Sequence, residues 1–566
     1  MTPALPRSAV GAELALQSAG QLGYLLAELD ALEGTLSDAP LWLPSQPLLR
    51  QIDWVRQELT RIEATWASKL VVAIAGPSGA GKSTLLNALA GADLSPTGLD
   101  RPTTRDIVVY CQSEVDLGHL LDEWPTDHLC VHSDPLARGL DHLILVDTPD
   151  TNTVPENQAI LAQVLDSADL ILAVLNAANP KLQDNIAYLQ PYVQRVGPSA
   201  VVPILNAVDR ITAEQLQSDV LPDATQHLSE AWGLESPRLY AISARAHTLS
   251  GATPADEQPL HTIDEFAALQ TLLREQLNNA QQVVDRRLAR GEHLLRLLRA
   301  QIASALADSA PQRKDGLTAL QQMGDALADE AVAQVRSDRA TLTQARRLVT
   351  VGMAATWWGP IGWLVAIWGA IIRWTHQETR RGEIARMSGS AWVARMERIN
   401  ARLWPPVADQ LVAAGLEPSV RQATFWRQES ERQAEIIELR SAEAWRSEVA
   451  RLARGLSAWP LQILLNAAPI GMLGWIGVAS VRAFFSESAL PAGYYQNGGI
   501  ATLTVWLAGL ILLQILTSLA CSWTLPRRIG KALRADLQGV PLGALRRQLE
   551  TLAHLERALA EVDRVH

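Results

Sequence analysis

From Lys69 onward the chain sets short apolar runs between stretches of helical spacing: LVVAIA at 70–75, IVVYC at 107–111, HLILV at 142–146, LILAVL at 170–175, AVVPIL at 200–205 and LYAIS at 239–243. Apolar runs of that length, alternating with helices, predict a mainly parallel α/β sheet with helices on both faces. Upstream, residues 8–66 carry helical spacing in two stretches broken near Pro40, Pro44 and Pro47, a helical prefix over 1–67. A last helix at Ile263–Leu277 closes the α/β part, expected over 68–280. Long helices follow over 281–347, where Val284, Leu288, Leu295, Leu298 and Ile302 stand near heptad spacing. That pattern fits a bundle or stalk, and equally an amphipathic helix packed on the α/β domain.

Three stretches lack charge for long enough to reach through a bilayer, which takes about 20 residues: Leu348–Ile372, Gly455–Val481 and Ala489–Leu525. Arg346, Arg347 and Arg373 flank the first, Arg451 and Arg454 precede the second, and Arg527, Arg528 and Lys531 follow the third. Trp357, Trp358, Trp363, Trp374, Trp459 and Trp523 include several placed for an interfacial belt. Only Arg482 and Glu487 carry charge between the second and third segments, so 455–525 reads as a transmembrane hairpin with both ends on the basic, cytoplasmic side. The first segment, 348–374, either spans once or re-enters, because Gly359, Pro360 and Gly362 in WWGPIGW would break a helix midway into two short arms. A helical region at 375–454 and a C-terminal helix at 526–566 complete the layout. A buried helical core is the plainer account of the apolar segments; their length and basic flanks favour the membrane.

Composition agrees with that division. Of 566 residues, 48% are hydrophobic and only 19% charged, below the roughly 25% of ordinary soluble domains. The formal net charge of −11 supplies no general attraction to nucleic acid. Cys111, Cys130 and Cys521 lie far apart without metal-ligand spacing, and the eleven His form no cluster, so neither a disulfide framework nor a zinc site is expected. The first thirty residues, with Glu13 and Glu28 among them, are no secretory signal, which leaves the N-terminus in a reducing cytoplasm. The Arg-rich region 375–454 and the stretch AQQVVDRRLARG read as solvated helix faces.

The chemistry sits in GPSGAGKST, Gly76–Thr84, which follows an apolar run and opens the helix TLLNALAG. In that context Gly76, Ser78, Gly79, Ala80 and Gly81 form a loop whose backbone N–H groups point at phosphates, while Lys82 reaches the terminal phosphates, Ser83 ligates Mg2+ and Thr84 continues the cradle. Downstream, Asn206, Ala207, Val208 and Asp209 end an apolar run and resemble the Asn-Lys-x-Asp motif of GTPases, a resemblance that implies an Asp209 carboxylate accepting from the ring N–H and amine of guanine while opposing adenine. Between them lie RPTTRD at 101–106 and HLILVDTPD, with Asp147 at a strand end; Ser243-Ala244 closes the last run.

As an ordered set these motifs resemble the translation-factor-related P-loop GTPases, nearer the Era-like and dynamin-like groups, and the layout of helices and apolar segments resembles membrane-associated bacterial dynamin-like proteins. The resemblance implies GTP/GDP and Mg2+ as cofactors; Lys82, Ser83 and Thr104 in catalysis; Ser83, Thr104 and Asp147 around the metal; and Asn206, Asp209, Ser243 and Ala244 at the base. It also implies a bacterial inner membrane with the GTPase domain in the cytoplasm, membrane lipid as partner, and homodimer or oligomer formation through the G domain. Ala207 departs from the usual Lys, Asp150 stands where the pattern has Gly, Thr151 where a water-positioning Gln is common, Ser78 where many dynamins have Gln, and Gly79 where potassium-activated relatives place Asn. Basal turnover should therefore be slow, completed by a partner or second G domain. Two other readings share the motifs: a membrane-anchored regulatory switch that recruits an effector without bending lipid, and a P-loop ATPase or kinase, which the absence of an LSGGQ-like signature and the presence of Asn206 to Asp209 oppose.

Overall fold

The computed structural model describes residues 7–566 apart from 66–67, 97–105, 119, 121–123, 138, 150–154, 179–181, 235–236, 250–257, 376–388, 487–489, 492, 538–541 and 566. Its contacts divide into two compact units, 1–37 with 46–304 and 38–45 with 305–566.

The first unit is built on a seven-stranded sheet: β1 (Leu70–Ala75), β2 (Ile107–Cys111), β3 (Leu129–Ser133), β4 (Leu143–Asp147), β5 (Leu170–Asn176), β6 (Val201–Asn206) and β7 (Tyr240–Ile242), in the order β3-β2-β4-β1-β5-β6-β7. All neighbours are parallel except β2 and β4, paired Val108 to Asp147 and Tyr110 to Leu145. Side chains on β1 alternate between the two faces, Val71, Ala73 and Ala75 into one buried layer and Leu70, Val72 and Ile74 into the other. Both faces are covered, which is why these strands read as unbroken apolar runs rather than as alternation. The six expected strands are present. β3 is an addition at the sheet edge; its residues are only half-buried or exposed, so LCVHS offers no apolar run to read.

The prefix folds as helices Arg7–Ser37 and Ser45–Thr65, with the prolines in or beside the turn. The helix Ala280–Ala307 answers both sequence alternatives at once. Gly291 leaves room for Leu59 and Leu25 of the prefix helices, as a bundle would. Nearer its start, the helix meets the sheet through ions. Arg287, 3% exposed, donates to Asp169 at 2.9 and 2.8 Å and to the Lys69 carbonyl at 3.1 Å. Arg290 pairs with Glu58 at 3.0 Å and donates to the Ala168 carbonyl at 3.0 Å. AQQVVDRRLARG is thus no solvated face at these two positions: their guanidinium groups are buried and paired, Val283 and Leu288 are buried with them, and Asp285 is exposed.

The second unit is helical around one apolar core that draws on Leu327, Val349, Met353, Ile361, Trp404, Ile437, Leu513, Leu533 and Leu549. The first charge-free segment is not one helix. It is two, Arg339–Ala354 and Gly359–Thr375, separated where Gly359 adopts a φ of 77°. Breaking a helix exposes backbone groups, and here two amides of the helix Trp459–Phe485 meet them. Gln462 Oε1 accepts from Trp358 N at 3.1 Å; Asn466 Oδ1 accepts from Ile361 N at 3.1 Å, and Asn466 Nδ2 donates to the Trp358 carbonyl at 3.1 Å. Asn466 is wholly buried. A Cβ on Gly359 would lie 2.8 Å from Asn466 Oδ1, so the elbow and the amide fit only with glycine there.

Among the described residues, two helices are long and apolar enough to cross a membrane, Trp459–Phe485 and Tyr494–Leu537, the latter including a π-turn at Ala520–Thr524. The former, at 27 residues, is ~40 Å long at 1.5 Å per residue, against about 30 Å of hydrocarbon. Its outward side chains are apolar up to Arg482 in the last turn, with Trp475 75% and Phe485 80% exposed.

Candidate functional site

The loop Gly76–Gly81 leaves β1 and enters the helix Lys82–Ala90 through two left-handed residues, Gly79 at φ 76° and Gly81 at φ 90°. Gly81 is the N-cap, and no side chain caps the helix, so its first N–H groups face the cradle without a side-chain acceptor. A Cβ at Gly76 would come within 2.3 Å of the Val174 carbonyl and one at Gly81 within 2.1 Å of Asn206 Nδ2; neither position admits a side chain without movement. Ala80 is buried beneath the loop, and Ala80 N donates to the Pro77 carbonyl at 3.2 Å. Lys82, 4% exposed, bends back to donate to the Gly76 carbonyl at 3.0 Å. Ser78 Oγ is buried and has no hydrogen-bond partner among the described residues, a polar atom suited to a ligand oxygen. Thr84 is half-buried in the first helical turn. A glycine-rich turn at a helix N-terminus, with a buried lysine and an orphan Ser78 hydroxyl, is matched to a polyphosphate.

Asp147, at the end of β4, lies fully buried beside it. Its Oδ2 accepts from Ser83 Oγ at 2.6 Å and from Ser95 Oγ at 2.9 Å. Clustered hard oxygens next to a phosphate cradle suit Mg2+. Ser95 reaches Asp147 because Asn87, on the Lys82–Ala90 helix, grips the returning chain: Asn87 Oδ1 accepts from Leu94 N at 2.9 Å and Ser95 N at 2.8 Å, and Asn87 Nδ2 donates to the Ser95 carbonyl at 2.8 Å. Thr103 and Thr104, and likewise Asp150 and Thr151, lie outside the described residues.

The base side is assembled around Asn206. Its Nδ2 donates to the Ala80 carbonyl at 2.9 Å and its Oδ1 accepts from Ala244 N at 3.1 Å, so one side chain ties the phosphate loop to the last turn. Asn176, at the end of β5, makes a parallel tie to the Gly79 carbonyl at 2.9 Å. Ala207 stands at φ 60°, the left-handed conformation that turns the chain sharply and presents Asp209, which is half-buried. The Asp209 backbone is held from a distance: its carbonyl accepts from Leu260 N at 3.0 Å, and His261 Nε2–H donates to the neighbouring Val208 carbonyl at 2.9 Å while Nδ1 accepts from Ile263 N at 3.1 Å. Ser243, 5% exposed, donates its N–H to Asp264 at 3.4 Å, and Asp264 also pairs with His247 at 2.7 Å.

The structure thus brings together the sequence-expected Gly76–Thr84 loop, Asp147, Asn206, Asp209, Ser243 and Ala244 at the ends of β1, β4, β6 and β7. Sequence reasoning missed Asn87, Ser95, Asn176 and His261. Asn176 and Asn206, closing neighbouring strands in the pairing of β5 with β6, are the repeated signal that could have found one of them.

A family model described as 50S ribosome-binding GTPase matches residues 71–207. The tRNA modification GTPase MnmE of Stutzerimonas stutzeri (strain A1501) is 30% identical over 264 residues, 42% of this chain and 53% of that protein. MnmE of Pseudomonas fluorescens (strain Pf0-1) is 28% identical over 263 residues, again 42% and 53%. The chain therefore spans about half the length of the curated relatives it matches. Among solved structures, an oligomerised bacterial dynamin pair, described as a mechanism for long-range sensing and tethering of membranes, is similar at 12% identity over 90% of each chain with a TM-score of 0.34. Era of Aquifex aeolicus bound to GDP and aluminium fluoride is similar at 24% identity over 31% of this chain and 50% of that one, with a TM-score of 0.22. The match to a GTPase family model thus falls on the segment that holds the phosphate loop, Asp147 and Asn206.

Proposed function

We propose that this is a membrane-associated GTPase, dynamin-like in organisation, that couples its GTP state to the tethering or remodelling of a bilayer, with the GTPase domain on the cytoplasmic side. The observation that carries the reading is the pair of long apolar helices, Trp459–Phe485 and Tyr494–Leu537, with outward tryptophans and phenylalanines, in the same chain as the phosphate cradle.

At the cradle, the N–H groups of 78–83 and Lys82 hold the β- and γ-phosphates and neutralise charge as the γ-phosphoryl group separates, Ser83 and Asp147 hold the metal site, and Asp209 reads guanine. Bound Mg2+ supplies further charge neutralisation at the phosphate oxygens. Lys82 changes partner on binding, from the Gly76 carbonyl to phosphate, and Thr104 closes the site in the GTP state. Nothing in this set orients the attacking water, so turnover is slow until a second G domain or partner adds that group. Asp150 stands in sequence where the family pattern has Gly, and a carboxylate at that position of the pattern opposes closure on the γ-phosphate.

A second reading has the relatives' names behind it: a GTPase acting on tRNA, with the helical unit as its docking body. Net charge −11 opposes it, since nucleic-acid affinity rests on phosphate neutralisation by basic groups. The intact chain reconstituted into liposomes separates the readings. GTP-dependent clustering or tubulation, absent with GDP, is the expected result. Stable insertion with no GTP-dependent change in the vesicles would leave the anchored-switch reading, and a chain that stays soluble and binds tRNA would sink the membrane assignment.

A further inference from the structure

We infer that Ser95 is a positioning residue of the magnesium site: its hydroxyl fixes the Asp147 carboxylate that the Ser83 hydroxyl also reaches. Ser95 is 3% exposed, and its hydroxyl lies 2.9 Å from the same Asp147 oxygen that Ser83 reaches at 2.6 Å. A hydroxyl has one proton to give and two lone pairs. With its proton given to Asp147, the Ser83 hydroxyl keeps the acceptor character with which an oxygen meets a cation. That arrangement holds only while the carboxylate stays in one rotamer. Ser83 must itself respond to the arriving ion, whereas Ser95 need not.

Ser95 does not depend on the ligand for its own position. Three hydrogen bonds from one buried side chain, Asn87, at 2.8–2.9 Å, fix the Leu94–Ser95 backbone to the helix that carries Ser83. Ser95 is thereby tied to the helix of Ser83, and both hydroxyls reach Asp147. Partners of this kind behind a metal ligand typically account for 10–100-fold in metal affinity, because they set orientation before binding.

The inference rests on Ser83 and Asp147 being the metal residues, and the experiment separates the two claims. Release of fluorescent GDP from the intact chain is followed while free Mg2+ is titrated, for wild type, Ser95→Ala, Ser95→Thr and Ser83→Ala. Ser95→Ala should need about 10–100-fold more Mg2+ to slow release by half, with Ser95→Thr restored toward wild type and GDP affinity in EDTA unchanged. An unshifted Mg2+ midpoint in Ser95→Ala beside a shifted one in Ser83→Ala overturns the role of Ser95 alone. Equal loss of GDP affinity with and without Mg2+ also overturns it, since that marks a collapsed loop. An unshifted midpoint in Ser83→Ala removes the metal assignment and the inference together.

Discussion

An Asp209→Asn chain should lose GTP affinity by about 100- to 10,000-fold, the sum of two charge-assisted hydrogen bonds at roughly 1.5–3 kcal/mol each, and should gain xanthine nucleotides in exchange. The carboxylate offers two acceptors to the ring N–H and amine of guanine. An amide offers one acceptor and one donor, which faces the guanine amine but matches the carbonyl of xanthine at that place. The substitution spares the fold, because the loop is held by backbone contacts: Leu260 N to the Asp209 carbonyl and His261 to the Val208 carbonyl. Lys82→Ala is the control, lowering affinity for every nucleotide alike. Equilibrium binding of labelled GTP, GDP, XTP and ATP decides it; unchanged GTP binding by Asp209→Asn would remove Asp209 from the base site.

The second large effect lies away from the nucleotide. Asp169→Ala should destabilise the first unit by about 3–5 kcal/mol, the usual result of stranding one partner of a buried ion pair. Asp169 sits just before β5, accepts from Val71 N of β1 at 2.9 Å and takes two hydrogen bonds from Arg287. Removing it leaves a buried guanidinium with carbonyl acceptors but no counter-charge, and a buried amide without its acceptor. Amide exchange across β1 and β5 should accelerate by about a hundred- to several-thousand-fold, with Asp169→Asn intermediate because it keeps an acceptor and loses the charge. Burial pushes the Asp169 carboxyl up, but the Arg287 charge and hydrogen bonds, the Val71 N–H and Arg290 more than offset it and hold the carboxyl below its ordinary value. A lowered folded-state value means that this stabilisation is complete above about pH 3.9, the unfolded value, and drains away as pH falls through the folded one. Exchange rates in Asp169→Ala should therefore lose that acid dependence, and an acid profile identical to wild type would show the pair to be energetically idle.

How much of this was readable beforehand follows the range of each interaction. Local patterns carried the six main strands, the phosphate loop and the break at Gly359, since each depends on residues within a few positions. Edge strand β3 was invisible because burial, not propensity, had marked the other strands. Asn176, Ser95 and Arg287 were invisible for a different reason: their partners stand 97, 52 and 118 positions away, so that only the folded sheet brings them together. A lone Asn or Ser has too many surface uses to be noticed, and an Arg in a charged helix reads as solvated until the chain supplies its carboxylate.

The elbow at Trp358–Gly359 has a consequence for the order in which the protein is made. The amide that satisfies the Trp358 carbonyl belongs to Asn466, 108 residues later in the chain. At 5–20 residues per second, a ribosome delivers it ~5–20 s after the elbow. For that interval an apolar segment carries a broken helix with backbone groups that neither lipid nor a dry core can accept. The elbow can be finished only once the later helix arrives, so the apolar elements of the second unit mature together and not in sequence. A nascent chain arrested at residue 450 should be cut by protease near Gly359 and lose that sensitivity when arrest is moved beyond the Trp459–Phe485 helix. Protection already complete at 450 would mean that the elbow closes on something else first.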